Sequence, residues 1–236
     1  MPTSDEWWRY ESPPTIYDLV GDNFITFIIR PLIYIAIKFY FKYFHKIKIV
    51  KPNFDLSKGG YIMVANHSSH LDTPLILSCF PLKYVNKIYA VAAVDYFFAN
   101  PFLKTLAHIL CNIIPIQRKS ADFKSFFTCA GILKKKGNIL IYPEGTRTRT
   151  GKMGPFKSGI GILIKKTKSP IIPIYIEGTF ESMNYRRVIP KPCPLSIIFG
   201  SPIPYHQLTK NNEDIKTITN RIQWLVYSLS KSISNR

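Results

Sequence analysis

"YIMVANHSSHLDTP" (residues 61–74) opens as an apolar run, turns polar at Asn66 and ends on a proline. His67 and Asp72 stand five residues apart within it. On one helix that offset leaves two side chains about 140° apart. On one strand an odd offset sends them to opposite faces. The two can meet only if the chain turns between them. A buried strand over 61–67, followed by a helix with Thr73 as N-cap and Pro74 in its first helical position, supplies that turn. The stretch therefore reads as a strand-to-helix junction.

The same alternation continues downstream. Apolar, strand-like runs occupy 87–93, 112–118, 138–145, 170–178 and 195–203. Between them the pattern predicts helices at 100–110, opened by Pro101, and at 121–137, with basic residues in the last turn and Gly137 as the stop. A further helix is predicted at 157–168 despite two glycines, and an amphipathic one over 212–233. Strands alternating with helices imply an α/β domain: a mostly parallel central sheet flanked by helices. In such sheets ligands gather outside the carboxyl ends of the strands. Chemistry-bearing residues follow the strands that begin at 61, 112 and 138.

Upstream lies the most apolar segment, "FITFIIRPLIYIAIKFYFKYFHK" (24–46). A membrane span needs about 20 uninterrupted apolar residues, and Arg30, Pro31 and Lys38 interrupt this one. Arg30, Lys38, Lys42 and Lys46 recur at multiples of four, with Tyr34 filling the gap, so they form one slanting polar stripe. Two short helices, 16–29 and 31–45, are expected to lie in a membrane interface, their basic stems reaching the headgroups. A true span and a plain hydrophobic cap on a soluble core stay open beside that reading. Trp7, Trp8 and Tyr10 are either interfacial anchors or packed aromatics. The organisation expected is an N-terminal membrane element over 1–48 and one domain over 49–236.

Composition agrees with a lipid surface. There are 32 Lys and Arg against 14 Asp and Glu, a net charge of +18, in a chain that is 46% hydrophobic and 14% aromatic. A nucleic-acid binder needs the charge but not so much apolar content, and no RNA-binding aromatic motif is present, so nucleic acid is not an expected partner. Cys79, Cys111, Cys129 and Cys193 are scattered without a C-x-x-C pair, and read as reduced, packed thiols. The polar start "MPTSDEWWRYESPPT" lacks a secretory leader's pattern. Location on a membrane's cytoplasmic face, peripheral or monotopic, is expected.

The chemistry follows from the opening stretch. A carboxylate at the entry of a helix can hold one imidazole nitrogen and leave the other as a base. No G-x-S-x-G elbow supplies a protein nucleophile, so the substrate would bring its own, an alcohol or water. Metal ligation by His67, His70 and Asp72, and a purely structural histidine, remain the rival readings; His45, His108 and His206 are isolated. The loop "YPEGTRTRTGKMGPFKSG" (142–159) follows a strand and is dense in Gly, Arg and Lys. Arg147, Arg149, Lys152 and Lys157 can gather around an anion, with Gly145 allowing close backbone approach. Glu144 either holds Arg147 or bonds an acceptor hydroxyl, and Arg118 is a second phosphate clamp. The alternative is a solvated basic loop.

These blocks resemble the glycerolipid acyltransferases typified by lysophosphatidic acid acyltransferase (1-acyl-sn-glycerol-3-phosphate O-acyltransferase). "NHSSHLD" (66–72) is similar to that family's N-H-x-x-x-x-D, "YPEGTR" (142–147) to its [FY]-P-E-G-T-R, and "NIIPIQR" (112–118) and "IIPIYIEG" (171–178) to its two apolar blocks. The resemblance covers roughly 60–205. It implies transfer of an acyl group from acyl-CoA or acyl-carrier protein to a lysophospholipid hydroxyl, without metal or cofactor. His67 would deprotonate the acceptor and Asp72 would orient it. Arg118, Glu144, Gly145, Thr146, Arg147 and Lys157 would bind substrate, the acceptor's phosphate above all, and Pro173 would shape a pocket. 1-Acylglycerol 3-phosphate is the expected acceptor, with another lysophospholipid or glycerol 3-phosphate as alternatives. Further from the resemblance stand a lipid hydrolase and a non-enzymatic binder of anionic surfaces.

Overall fold

Seven strands, β1 (Lys48–Val50), β2 (Ile62–Ala65), β3 (Ile88–Ala93), β4 (Asn112–Ile116), β5 (Asn138–Ile141), β6 (Ile171–Glu177) and β7 (Ser196–Phe199), form one sheet in the order β1-β7-β6-β2-β5-β3-β4. This computed structural model describes residues 24–52, 54–93, 111–116, 123–210 and 213–234. Every pairing is parallel except that of β6 with β7. The mostly parallel α/β sheet expected from the alternation is thus present. The short β1 and the reversal at β7 were not foreseen.

Strand β2 lies between β6 and β5, with Val64 opposite Pro173 on one side and Ile141 on the other. All four residues of β2 are 0% exposed. Continuous burial is what a parallel strand covered on both faces requires. Met63 and Ala65 join Leu75, Ile76, Leu140 and Ile172 on one side of the sheet. Ile62 and Val64 join Ile139, Ile160, Leu163 and Ile222 on the other. Helices α2 (Asp72–Ser78) and α3 (Leu82–Val85) cover the first side; α4 (Phe123–Lys134), α5 (Gly159–Thr167) and α8 (Ile215–Ser234) cover the second. Short helices α6 (Thr179–Ser182) and α7 (Tyr205–Leu208) follow β6 and β7.

The N-terminal element departs from expectation. One helix, α1 (Phe24–Phe39), runs straight through Pro31 and ends in a π-helical turn, Tyr40–Phe44. An interior proline costs a helix roughly 3 kcal/mol. Tertiary packing opposes that cost here: Tyr34 and Ile37 pack on the core, and the Tyr34 hydroxyl donates to the Phe80 carbonyl. Arg30 is only 4% exposed, so it leaves the exposed polar stripe expected of it. Lys38, Lys42 and Lys46 remain exposed. Ile28, Leu32, Ile35 and Phe39 are 41%, 61%, 49% and 56% exposed. Their spacing of four, three and four residues makes one outward apolar face.

Among the described residues no helix is long and apolar enough to cross a membrane. With its 16 residues α1 is about 24 Å long, against a hydrocarbon core of about 30 Å. Residues 16–23, Trp7, Trp8, Tyr10 and the expected helix at 100–110 lie outside the described residues. None of the four cysteines forms a disulfide, and burial pushes the thiols of Cys79 and Cys111 up to about 12.

Candidate active site

The site begins where β2 leaves the sheet. Asn66 is the first residue past the strand and is buried. Its side-chain amide donates to the Ile176 carbonyl at 2.9 Å, and its carbonyl oxygen accepts the Ile176 N–H at 2.8 Å. The side chain thereby imitates one more ladder step on β6 and sets the point at which the chain turns away. His67 follows at once, at the carboxyl edge of the sheet.

The next turn brings His67 and Asp72 together. Imidazole Nδ1 lies 2.8 Å from Asp72 Oδ2, and that oxygen also accepts the Ser68 and Ser69 N–H groups at 2.6 and 2.9 Å. Asp72 is the first residue of α2, ahead of the expected N-cap at Thr73. Its carboxylate reaches back to the preceding loop, and so the helix starts with the residue that closes the turn. Pro74 still falls in the first turn, where its missing N–H would be unpaired in any case. A carboxylate oxygen accepts, so Nδ1 carries the proton and Nε2 is left for chemistry. The Asp72 side chain is 0% exposed and that of His67 22%.

Strand β5 supplies the other wall. Tyr142, one residue past β5, stacks on the imidazole with ring centroids 4.1 Å apart and planes 18° off parallel. Its hydroxyl meets Thr73 Oγ1 at 2.9 Å, and burial, with Asp72 adding to it, holds that phenol well above its usual range. Glu144 Oε1 accepts the His67 N–H at 2.7 Å, and Oε2 accepts the Gly154 N–H at 2.7 Å. The Thr148 N–H donates to the His67 carbonyl at 2.9 Å. The backbone of His67 is therefore clamped at both its N–H and its C=O by the loop after β5. Burial raises the Glu144 carboxyl above the ordinary value, against the pull of the Gly154 and His67 N–H groups.

The remaining predicted residues divide. Gly145 has φ +73°, and the Lys157 ammonium lies 2.7 Å from where a β-carbon on Gly145 would be. Only the missing side chain lets that cation lean across the loop. Thr146, Arg149, Lys152 and Lys157 are exposed and Arg147 is half-buried. Arg147 acts on His70, whose imidazole is pushed down to about 4, by burial first and then by the positive charges of Arg147 and His67. Arg147 is thus near the turn that joins His67 to Asp72. Both Glu144 oxygens accept backbone N–H groups, so Glu144 joins two loops. Pro173 is buried inside β6 opposite Val64, with the would-be β-carbon of Gly200 2.7 Å from its ring; it is not brought to the carboxyl edge. Arg118 lies outside the described residues. Among the described residues no three His, Cys, Asp or Glu side chains converge so as to hold a metal ion.

The sequence reading gave no role to Asn66, Tyr142 or the Gly154 N–H. Each acts through a neighbour distant in sequence, and no local pattern announces it. Asn66 and Tyr142 carried a signal, as the residues that open "NHSSHLD" and "YPEGTR".

Comparison with known proteins follows the same lines. A family model for acyltransferases matches residues 44–177, more than half of the chain. A 1-acyl-sn-glycerol-3-phosphate acyltransferase of Cocos nucifera is 31% identical over 152 residues, covering 63% of this chain and 47% of that protein. The 1-acyl-sn-glycerol-3-phosphate acyltransferase alpha of Homo sapiens is 27% identical over 179 residues, covering 74% and 60%. The chain spans about half the length of the curated relatives it matches. The crystal structure of the 1-acyl-sn-glycerophosphate acyltransferase of Thermotoga maritima superposes with a TM-score of 0.59 at 20% identity, over 88% of this chain and 86% of that one. At that identity the likeness shows the fold.

Proposed function

The chain belongs to the acyltransferase family, and from that premise we propose that it moves a fatty acyl group from an acyl thioester to the hydroxyl of 1-acylglycerol 3-phosphate, giving phosphatidic acid. The donor is acyl-CoA or acyl-carrier protein. His67 Nε2 takes the acceptor's hydroxyl proton as its oxygen attacks the thioester carbonyl. The tetrahedral adduct then collapses to ester and thiolate, and the thiolate takes the proton back from the imidazolium. No acyl-enzyme forms. General-base help of this kind contributes about 10²–10⁴-fold, enough for an already reactive thioester. Asp72 keeps Nδ1 protonated and Tyr142 holds the ring plane. Glu144 is a positioning residue, bracing the His67 backbone against the loop after β5. Arg147, Lys157 and, from its place in the sequence, Arg118 hold the acceptor's phosphate; Arg does so through a bidentate fork. The work is done on a lipid surface at the cytoplasmic leaflet, with the outward apolar face of α1 on the bilayer and Lys38, Lys42 and Lys46 at the headgroups.

The observation that carries this reading is the grip of Asp72 on His67 beside a cationic loop. Its test uses purified full-length protein, a thioester donor and a panel of lysophospholipids, with the lipid product identified. Diacyl product from 1-acylglycerol 3-phosphate is expected. His67→Ala should abolish it with the fold intact, while Arg147→Ala should chiefly raise the acceptor KM. Normal turnover by His67→Ala sinks the mechanism, and free fatty acid as the sole product means hydrolysis instead.

A further inference from the structure

The loop that leaves α6 is closed at its base and bare at its tip. Its base is double-locked: the Lys191 N–H donates to the Ser182 carbonyl at 3.1 Å, and Ser182 Oγ donates to the Lys191 carbonyl at 3.0 Å. Its tip is locked too, for the Arg186 N–H reaches Asn184 Oδ1 at 3.0 Å and the Arg187 N–H reaches the Asn184 carbonyl at 3.1 Å. On this built protrusion Val188 is 85% exposed and Ile189 78%, the barest large hydrophobics among the described residues. Exposed Arg186, Arg187 and Lys191 surround them, and residues 183–194 contain no acidic side chain.

The loop's roots lie in the machinery already described. Met183, at its start, accepts a hydrogen bond from Ser69 Oγ at 2.6 Å, and Ser69 also donates its N–H to Asp72. Cys193, at its end, offers its carbonyl to His45 Nδ1 at 3.1 Å, and His45 directly follows the π-helical turn that ends the α1 element. Met183 and Cys193 pack on the same core cluster as Tyr34 and Ile37 of α1. The protrusion thus springs from between the catalytic turn and the foot of the N-terminal helix.

We propose that loop 184–192 is a second membrane contact, seating Val188 and Ile189 among the acyl chains of an anionic phospholipid surface while Arg186, Arg187 and Lys191 lie on its phosphates. The proposal rests on the reading above that the chain works at a lipid surface. A two-residue apolar tip ringed by cations fits an interface that offers apolar depth under a negative plane. Because the tip is already ordered, little conformational freedom is lost when it enters. With α1 it would make a two-point stance that fixes how the catalytic turn faces the lipid.

Flotation of the full chain with vesicles tests this, using phosphatidylcholine alone or mixed equally with phosphatidylglycerol. Wild-type protein should float with the anionic vesicles. Val188→Asp with Ile189→Asp should lower that partitioning by about tenfold or more, while turnover of a short-chain acceptor dissolved as monomers stays unchanged. Arg186→Gln with Arg187→Gln should weaken only the binding to anionic vesicles. Flotation of the Val188/Ile189 variant equal to wild type overturns the proposal. If in that case Leu32→Asp with Ile35→Asp still abolishes flotation, the reading of α1 survives alone. Loss of flotation in the loop variant but not in the α1 variant leaves this proposal standing and removes the other. Wild type that never floats removes both. A loop variant that floats normally but loses turnover with a soluble acyl-carrier-protein thioester overturns it in favour of an acidic protein partner.

Discussion

His67 is held by residues from two strand ends: Asn66, tied to the ladder of β6, and Asp72 after β2, and Tyr142 with Glu144 after β5. The meeting of His67 with Asp72 was legible, because an offset of five can close only through a turn. The stacking and the backbone clamps were not, because they depend on which strands lie side by side. His70 gives this scale its prediction. Its pKa falls from an ordinary 6.5 to about 4, through burial first and then through Arg147 and His67, with Asp72 opposing. Between those values the unfolded chain binds a proton that the folded chain refuses. Stability from this group is therefore complete above pH 6.5 and is lost as pH falls through about 4. His70→Gln removes that titration. Its urea midpoint should fall less than wild type's between pH 7 and pH 4.5, and equal falls would mean that His70 is not desolvated.

The elements show where local pattern suffices and where packing overrules it. β2, β3 and β5 lie where apolar runs predict them, a few residues shorter at the ends. The three residues of β1 are too few for any periodicity to mark, and the reversal of β7 follows from its partner rather than from its own residues. α1 survives Pro31 because its inner face is fastened. The two glycines that blur α5 in the sequence separate cleanly in space. A β-carbon on Gly159 would meet nothing within 4 Å, whereas on Gly161 it would lie 2.5 Å from Thr219 Oγ1 and 2.8 Å from the Ile215 carbonyl of α8. Alanine gains up to about 1 kcal/mol over glycine in a helix interior, but overpacking costs about 1–3 kcal/mol. Gly159→Ala, at the first residue of α5, should therefore be neutral or slightly stabilising. Gly161→Ala should lose stability by about 1–2 kcal/mol, because the backbone carbonyl it meets cannot rotate away. Denaturant midpoints of the two variants decide this, and two equal midpoints would mean that α5 and α8 are not in close contact.

At the scale of the molecule, the fold class was legible because a sheet buried on both faces leaves unbroken apolar runs between helical patterns. The order of its strands was not, although that order alone brings residues 67–72 and 142–154 to one edge. Charge remains to be placed. A net +18 far exceeds what one acceptor phosphate can use, since two or three cations saturate its oxygens. Lys38 at the end of α1, and Lys42 and Lys46 just past it, are exposed, while Arg149, Lys152 and Lys157 are exposed beside the site. If most of the excess serves an extended anionic surface, salt should act on surface binding rather than on catalysis. Raising ionic strength from 0.15 to 1 M shortens the screening length from about 8 to about 3 Å. Acceptor presented in anionic vesicles should then show an apparent KM raised several-fold, with kcat unchanged. The same acceptor in neutral detergent micelles should show a much smaller rise, the part owed to Arg147 and Lys157 alone. Equal rises in the two presentations would place the excess charge at the acceptor site and leave the bilayer no claim on it.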